Sequence, residues 1–162
     1  MTTDPDEHTA PPVTSRPADI LLVEDSPSDA AMTVHALRES GARHRVHVVG
    51  DGEAALAFLY RRGRYAAAPR PDLILLDLNL PRIDGRDVLA TIKTDERLRG
   101  IPVVILTTSA TDTDILRAYH SGANCYVSKP IGLDDFLRAI SGIGRLWLNP
   151  TRLPQEFPNG IP

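Results

Sequence analysis

The sequence predicts a doubly wound α/β fold, with five parallel strands in the order 2-1-3-4-5 and five helices on the two faces of the sheet. Three observations predict it. Short apolar runs alternate with segments that carry helix start and stop signals. The runs are apolar at successive positions, as in strands buried on both faces. The connections are short, which favours this doubly wound strand order.

The elements follow in order. Residues 20–23 form the first apolar run. After it, Ser26-Pro27-Ser28-Asp29 offers an N-cap serine, a proline at the first helical position and an acid in the first turn. Val34 and Leu37 continue the inner face of that helix, and Gly41 stops it. Residues 46–49 are the second run, followed by a helix over 51–63 with Ala55, Leu56 and Leu59 inward. Residues 73–76 are the third run, and Asp84 caps a helix carrying Val88, Leu89 and Ile92. Residues 103–106 are the fourth run, and Thr111-Asp112-Thr113-Asp114 opens a helix ending near Gly122. The fifth and weakest run is 124–128. The last helix covers about 133–148, with Phe136, Leu137, Ile140, Ile143 and Trp147 on one side. The expected arrangement is flavodoxin-like.

Composition bounds the function. The 162 residues suit one domain with short tails, 18–149 between a disordered tail at 1–17 and a C-terminal tail at 150–162. A net charge of −3 disfavours a general nucleic-acid binder, so no direct DNA binding is expected. The single cysteine, Cys125, excludes an intrachain disulfide and reads as a small buried strand residue. There is no membrane-length apolar run and no signal-peptide core, so the expected location is cytoplasmic. His44 and His47 flank the second run and receive no role, and Arg61-Arg62-Gly63-Arg64 reads as a solvated helix end.

In folds of this kind ligands bind beyond the carboxyl ends of the strands. Glu24-Asp25 follows the first run, Asp77 and then Asn79 the third, Thr107-Thr108 the fourth, and Lys129-Pro130 the fifth. Taken singly, Thr107 and Lys129 fit ordinary surface roles and Glu24-Asp25 fits a solvated turn. Complementary groups at four strand ends point instead to one site. Two carboxylates about 4 Å apart repel by about 4 kcal/mol at an effective dielectric near 20, so a proton or a cation must sit among them. Oxygen-only ligands suit Mg²⁺, and with a lysine and a hydroxyl donor the set is equipped to hold a phosphoryl group. Asp77 is then the natural nucleophile.

The motifs ILLVED, LILLDLNLPRIDG, VVILTTS and YVSKP, in this order, resemble the receiver domain of bacterial response regulators. The resemblance spans about residues 19–148. It implies that Asp77 is the phosphoacceptor, that Asp25 and Asp77 bind Mg²⁺ directly, that the Asn79 backbone carbonyl adds a third ligand, and that Glu24 acts through water. It implies that Thr107 and Lys129 bind the phosphoryl group, that Lys129-Pro130 is a cis peptide, and that Thr107 and Tyr126 form the switch. Asn79 and Ser109 stand where members vary, at positions that influence self-dephosphorylation. The chain would then be a phosphoacceptor rather than an enzyme with a turnover substrate.

Only about a dozen residues follow the last helix, which implies a stand-alone receiver acting through protein contact or onward phosphotransfer. The long 63–71 loop, LTTS, and Trp147 before a proline-rich tail resemble the small regulators paired with bacterial phytochrome histidine kinases. That implies such a kinase as partner and a homodimer, with Trp147, Leu148, Leu153 and Phe157 as dimer or output surface unless the tail folds back on its own domain. Three rivals remain. A haloacid-dehalogenase-type phosphatase would want an aspartate at the position of Asn79 and a later Asp-Asp pair. A flavin mononucleotide carrier would want a phosphate loop where the acidic EDSPSD stands. A phosphorylation-silent receiver would keep the fold as a pure interaction module.

Overall fold

The central strands form where the apolar runs are continuous, and three of the helices begin at polar residues that cap them. A computed structural model describes residues 16–41, 43–107, 115, 117, 119–129 and 133–147. The strands are β1 (Ala18–Val23), β2 (His44–Val49), β3 (Leu73–Leu76), β4 (Val103–Thr107) and β5 (Cys125–Ser128). They form one parallel sheet in the order β2-β1-β3-β4-β5, as the sequence predicts.

The bounded helices are α1 (Pro27–Glu39), α2 (Gly52–Leu59), α3 (Gly85–Thr94) and α4 (Leu133–Trp147). Residues Ile115, Arg117, Tyr119 and His120 are helical too, but the expected opening at Thr111–Asp114 lies outside the described residues. The caps at Ser26 and Asp84 are those the sequence offers, and Asp51 adds a third. Ser26 Oγ accepts from the Asp29 amide at 3.3 Å, Asp51 Oδ1 from Ala54 at 2.7 Å and Asp84 Oδ1 from Arg86 at 2.8 Å. Each satisfies an amide that the first helical turn leaves without a backbone partner, at about 1 kcal/mol per cap. Gly41 closes α1 at a φ of +75°, a conformation glycine adopts without a Cβ penalty.

Two layers cover the sheet. Ala55 and Phe58 of α2 and Val88, Leu89 and Ile92 of α3 pack on Leu21, Val23, Ile74, Leu76, Val103 and Ile105. On the other face, Ala36 and Leu37 of α1 and Phe136, Ile140 and Ile143 of α4 pack on Ile20, Leu22, Leu75, Val104 and Leu106. Side chains alternate along each strand, so consecutive apolar residues feed both layers.

Several expectations need correction. β2 is not buried on both faces: it is an edge strand, and its Val48 is 50% exposed. His44 and His47 lie within it rather than beside it. α2 ends at Leu59, four residues short of Gly63, because Arg61 takes a φ of +54° and a separate 3-10 turn follows at Gly63–Tyr65. Cys125 is only partly buried, since β5 is the other edge. Arg61, Arg62 and Arg64 are exposed, as expected of a solvated helix end.

Candidate functional site

Backbone ladders carry the polar residues just beyond the strands. The Glu24 amide donates to Val49 O at 3.0 Å, Asp77 to Val23 O at 3.1 Å and Lys129 to Thr107 O at 2.7 Å. Each polar residue is thus the next rung after an apolar strand, and the three arrive at the same edge of the sheet.

Their side chains meet. Carboxylate oxygens of Glu24, Asp25 and Asp77 lie within 4.8 Å of one another. Glu24 and Asp77 are buried, while Asp25 faces solvent. Lys129 reaches across from the end of β5. Its Nζ donates to Glu24 Oε2, to Asp77 Oδ2 at 3.1 Å and to Asp29 Oδ2 at 3.0 Å. Asp77 is held by both oxygens, because the Asn79 amide donates to its Oδ1 at 3.0 Å. The Asn79 side-chain amide reaches Thr107 Oγ1 at 3.4 Å, which brings the hydroxyl at the end of β4 into the same group.

Burial and charge oppose each other here. Burial pushes the Glu24 carboxyl up, against the hydrogen bonds it accepts from Lys129 and from the Ser26 amide. Burial alone would lower Lys129, yet the hydrogen bonds to Glu24 and Asp29 and the charge of Asp77 outweigh it and hold the ammonium well above its ordinary range. The Lys129 direction governs the site, because one ammonium faces three carboxylate acceptors and stays charged. One positive charge among four carboxylates still leaves a negative site. The donors are all oxygen and one is open to solvent, the chemistry a hard divalent cation such as Mg²⁺ takes. The residues therefore fit such an ion.

Gly85 is part of the construction. A Cβ there would lie 2.2 Å from Asp77 O and 2.6 Å from Leu78 Cα. Only glycine lets α3 begin so close to the chain that presents Asp77.

Of the residues singled out from sequence, Glu24, Asp25, Asp77, Asn79, Thr107 and Lys129 come together. Tyr126 stands beside them in register. Ile105 pairs with Tyr126 and Thr107 with Ser128, so Tyr126 sits diagonally from Thr107 on the face covered by α2 and α3. It is half-buried against that core. Trp147 is the last residue of α4, while Ser109, Pro130, Leu148, Leu153 and Phe157 lie outside the described residues.

Sequence reasoning missed Asp29. It read that residue only as a first-turn acid, although α1 starts two residues after Asp25 and its first turn must overhang the end of β1. It also missed a second polar cluster at the amino end of the sheet. There Asp19, 2% exposed, accepts from Arg45 Nε and Nη2 at 3.1 Å, pairs with His47 Nε2 at 3.0 Å and lies 3.3 Å from Arg16 Nη1. The signal was an aspartate inside the otherwise apolar run ADILLV.

The family model for the response regulator receiver domain matches residues 20–141. The chain belongs to this family. Its members are two-component signalling proteins, generally without enzymatic turnover. Response regulator Rcp1 of a Synechocystis strain is 46% identical over 138 residues, spanning 85% of this chain and 94% of the relative. The Mn²⁺-bound crystal structure of Rcp1 superposes with a TM-score of 0.79, covering 83% of this chain and 96% of that one. The phosphorylated cyanobacterial phytochrome response regulator RcpA gives the same TM-score, 0.79, at 46% identity and the same coverage, 83% and 96%. The bacteriophytochrome response regulator RtBRR is 41% identical with a TM-score of 0.69, covering 82% of this chain and 81% of that one. The receiver is thus related to phytochrome response regulators. No helix among the described residues is long and apolar enough to cross a membrane.

Proposed function

We propose that this receiver accepts a phosphoryl group on Asp77 from a sensor histidine kinase of the phytochrome type and signals through protein contacts. The single observation that carries the reading is Asp77 held between the Asn79 amide and Lys129 Nζ, inside a cluster of carboxylates that fits a divalent cation. Its similarity to proteins described as phytochrome response regulators supports the choice of kinase.

In the transfer, an Asp77 carboxylate oxygen attacks phosphorus of a phosphoimidazole. The P–O bond forms as the P–N bond breaks, and the electron pair stays on the ring nitrogen, so a ring protonated at its other nitrogen leaves neutral. The acyl phosphate remains on Asp77 until water hydrolyses it. Asp25 and Asp77, with the Asn79 carbonyl, would hold Mg²⁺, with Glu24 acting through water, and when bound the ion would neutralise charge on the phosphoryl oxygens. Lys129 pairs with a phosphoryl oxygen and Thr107 donates to another. Phosphorylation adds charge at one end of β4, drawing Thr107 toward it, and Tyr126 takes the inward position. Residues 18–149 form this unit, in the cytoplasm.

The homodimer is assigned to Trp147, Leu148, Leu153 and Phe157. Sedimentation of a chain truncated after Trp147 tests it, since an unchanged mass contradicts a tail-mediated dimer.

The phosphoacceptor is tested by reductive trapping. The chain is loaded with a small phosphodonor and Mg²⁺, treated with borohydride, and mapped by peptide mass. Reduction at Asp77 supports the reading. Modification elsewhere, or none, overturns it and leaves the silent-receiver reading.

A further inference from the structure

Among the described residues, exposed arginines gather at the amino end of the sheet, away from Asp77. Arg61, Arg70 and Arg97 line a groove of about 230 Å³ together with Tyr60, Pro71 and Leu98. Arg62 stands beside it over the Tyr60 ring, and all four arginines are exposed. The guanidiniums are organised. Arg62 lies 4.6 Å and Arg97 5.4 Å from the Tyr60 ring centroid, and Arg70 Nη1 donates to Arg97 O. Three carboxylates share the area, and two are already engaged. Asp95 accepts from Tyr60 Oη at 2.6 Å and pairs with Arg97, and Asp72 is bridged by both terminal nitrogens of Arg16 at 3.0 and 2.7 Å. Glu96 is the third and is exposed. Positive charge is therefore in excess here, on a chain whose net charge is −3.

Arg16 also fixes where the preceding segment leaves the domain. Its bond to Asp72 places the exit one residue from Pro71, which lines the groove. Residues 1–15 contain Asp4, Asp6 and Glu7 and neither lysine nor arginine. From Arg16 back to Asp4 is twelve residues, a reach of up to about 40 Å when extended, so length sets no limit. Pro5, Pro11 and Pro12 restrict the chain and lower the entropy lost on docking.

We propose that the acidic segment 1–15 docks in cis on the arginine groove, with Asp4, Asp6 and Glu7 facing Arg61, Arg70 and Arg97. The tether gives the segment an effective concentration of about millimolar, so weak charge contacts suffice. Docking places the acidic side chains over arginines on the side of the domain opposite the phosphoacceptor. An acidic partner segment must then compete with the chain's own. The contact is independent of the role proposed for Asp77.

The test uses the full chain. A nitroxide is attached at Thr3→Cys in a Cys125→Ser background, and amide relaxation is measured. The proposal expects broadening of the Tyr60, Arg70 and Arg97 amides, lost in Asp4→Asn/Asp6→Asn/Glu7→Gln and lost in about 0.5 M salt, where screening is short-ranged. Absence of broadening at the groove overturns it, as does broadening that persists after charge neutralisation. Broadening only between different molecules in a mixed sample assigns the segment to a second copy and overturns docking in cis. Hydrogen exchange on the chain with its native cysteine gives a second reading. Amides of residues 59–62 and 95–98 exchange faster in the charge-neutralised chain if the segment covers them, and unchanged rates contradict docking.

Discussion

Lys129 Nζ stands 3.1 Å from Asp77 Oδ2, although the two residues end strands that are not neighbours in the sheet. β4 lies between them, and the lysine passes its end to reach the carboxylate. The same ammonium holds Glu24 and Asp29, so one cation balances acids from β1, α1 and β3. Removing it leaves buried carboxylates unpaired. Lys129→Met is expected to cost about 3–5 kcal/mol in chelator, the range for breaking a buried ion pair. Mg²⁺ should restore part of that. Denaturant unfolding with and without the ion checks both.

The Lys129 contribution is fully present below its ordinary value of 10.5 and is lost as pH rises through its raised folded value.

Asp19 contributes on the acid side. Burial would push its carboxyl up, but the hydrogen bonds from His47 and Arg45 prevail and hold it below its ordinary value of 3.8. Its contribution is present above that value and is lost as pH falls through the lowered folded value. Asp19→Asn should flatten the fall in stability below about pH 4 and lower stability at pH 7. Thermal midpoints from pH 2 to 7 measure it, and an unchanged acid limb would contradict the assignment.

Two glycines should respond in opposite directions. Gly85→Ala forces a Cβ against Asp77 O, and overpacking of this kind costs about 1–3 kcal/mol or more. It should also displace the carboxylate. Gly142 is exposed in α4, and a Cβ there would meet nothing within 4 Å, so Gly142→Ala should gain about 0.5–1 kcal/mol. Unfolding midpoints of the two variants decide it.

Much of this was legible in the chain. The strands end where the apolar runs end, so the polar residue after each run falls at the site without further information. Asp77, directly after LILL, is the clearest instance. What escaped reading needs two elements at once. Asp29 belongs to the site only because α1 overhangs β1, and one-dimensional reading saw only its favourable place in the first turn. The exposure of β2 follows from its edge position, which leaves Val48 in solvent, and His44, Arg45 and His47 within the strand already set it apart from the more apolar central strands. His47 escaped because its partner Asp19 lies in another strand, where the register Asp19↔Arg45 sets it diagonally from His47.

Thr107→Val keeps the shape of a fully buried side chain and removes the hydroxyl. It should weaken phosphoryl binding by about 1.5 kcal/mol, which is about tenfold in rate. It should also abolish the phosphorylation-dependent shift of the Tyr126 ring resonances. A full Tyr126 response in the valine variant would separate the tyrosine from the threonine.

Phosphorylation at Asp77 is read without intermediaries in the intact mass of the chain after incubation with a small phosphodonor, taken with Mg²⁺, with chelator, and for Asp77→Asn. The expected result is the gain of one phosphoryl group that requires both the ion and Asp77. No gain in any condition, with the fold intact, would refute the phosphoacceptor role and leave the chain a receiver that binds partners without being phosphorylated.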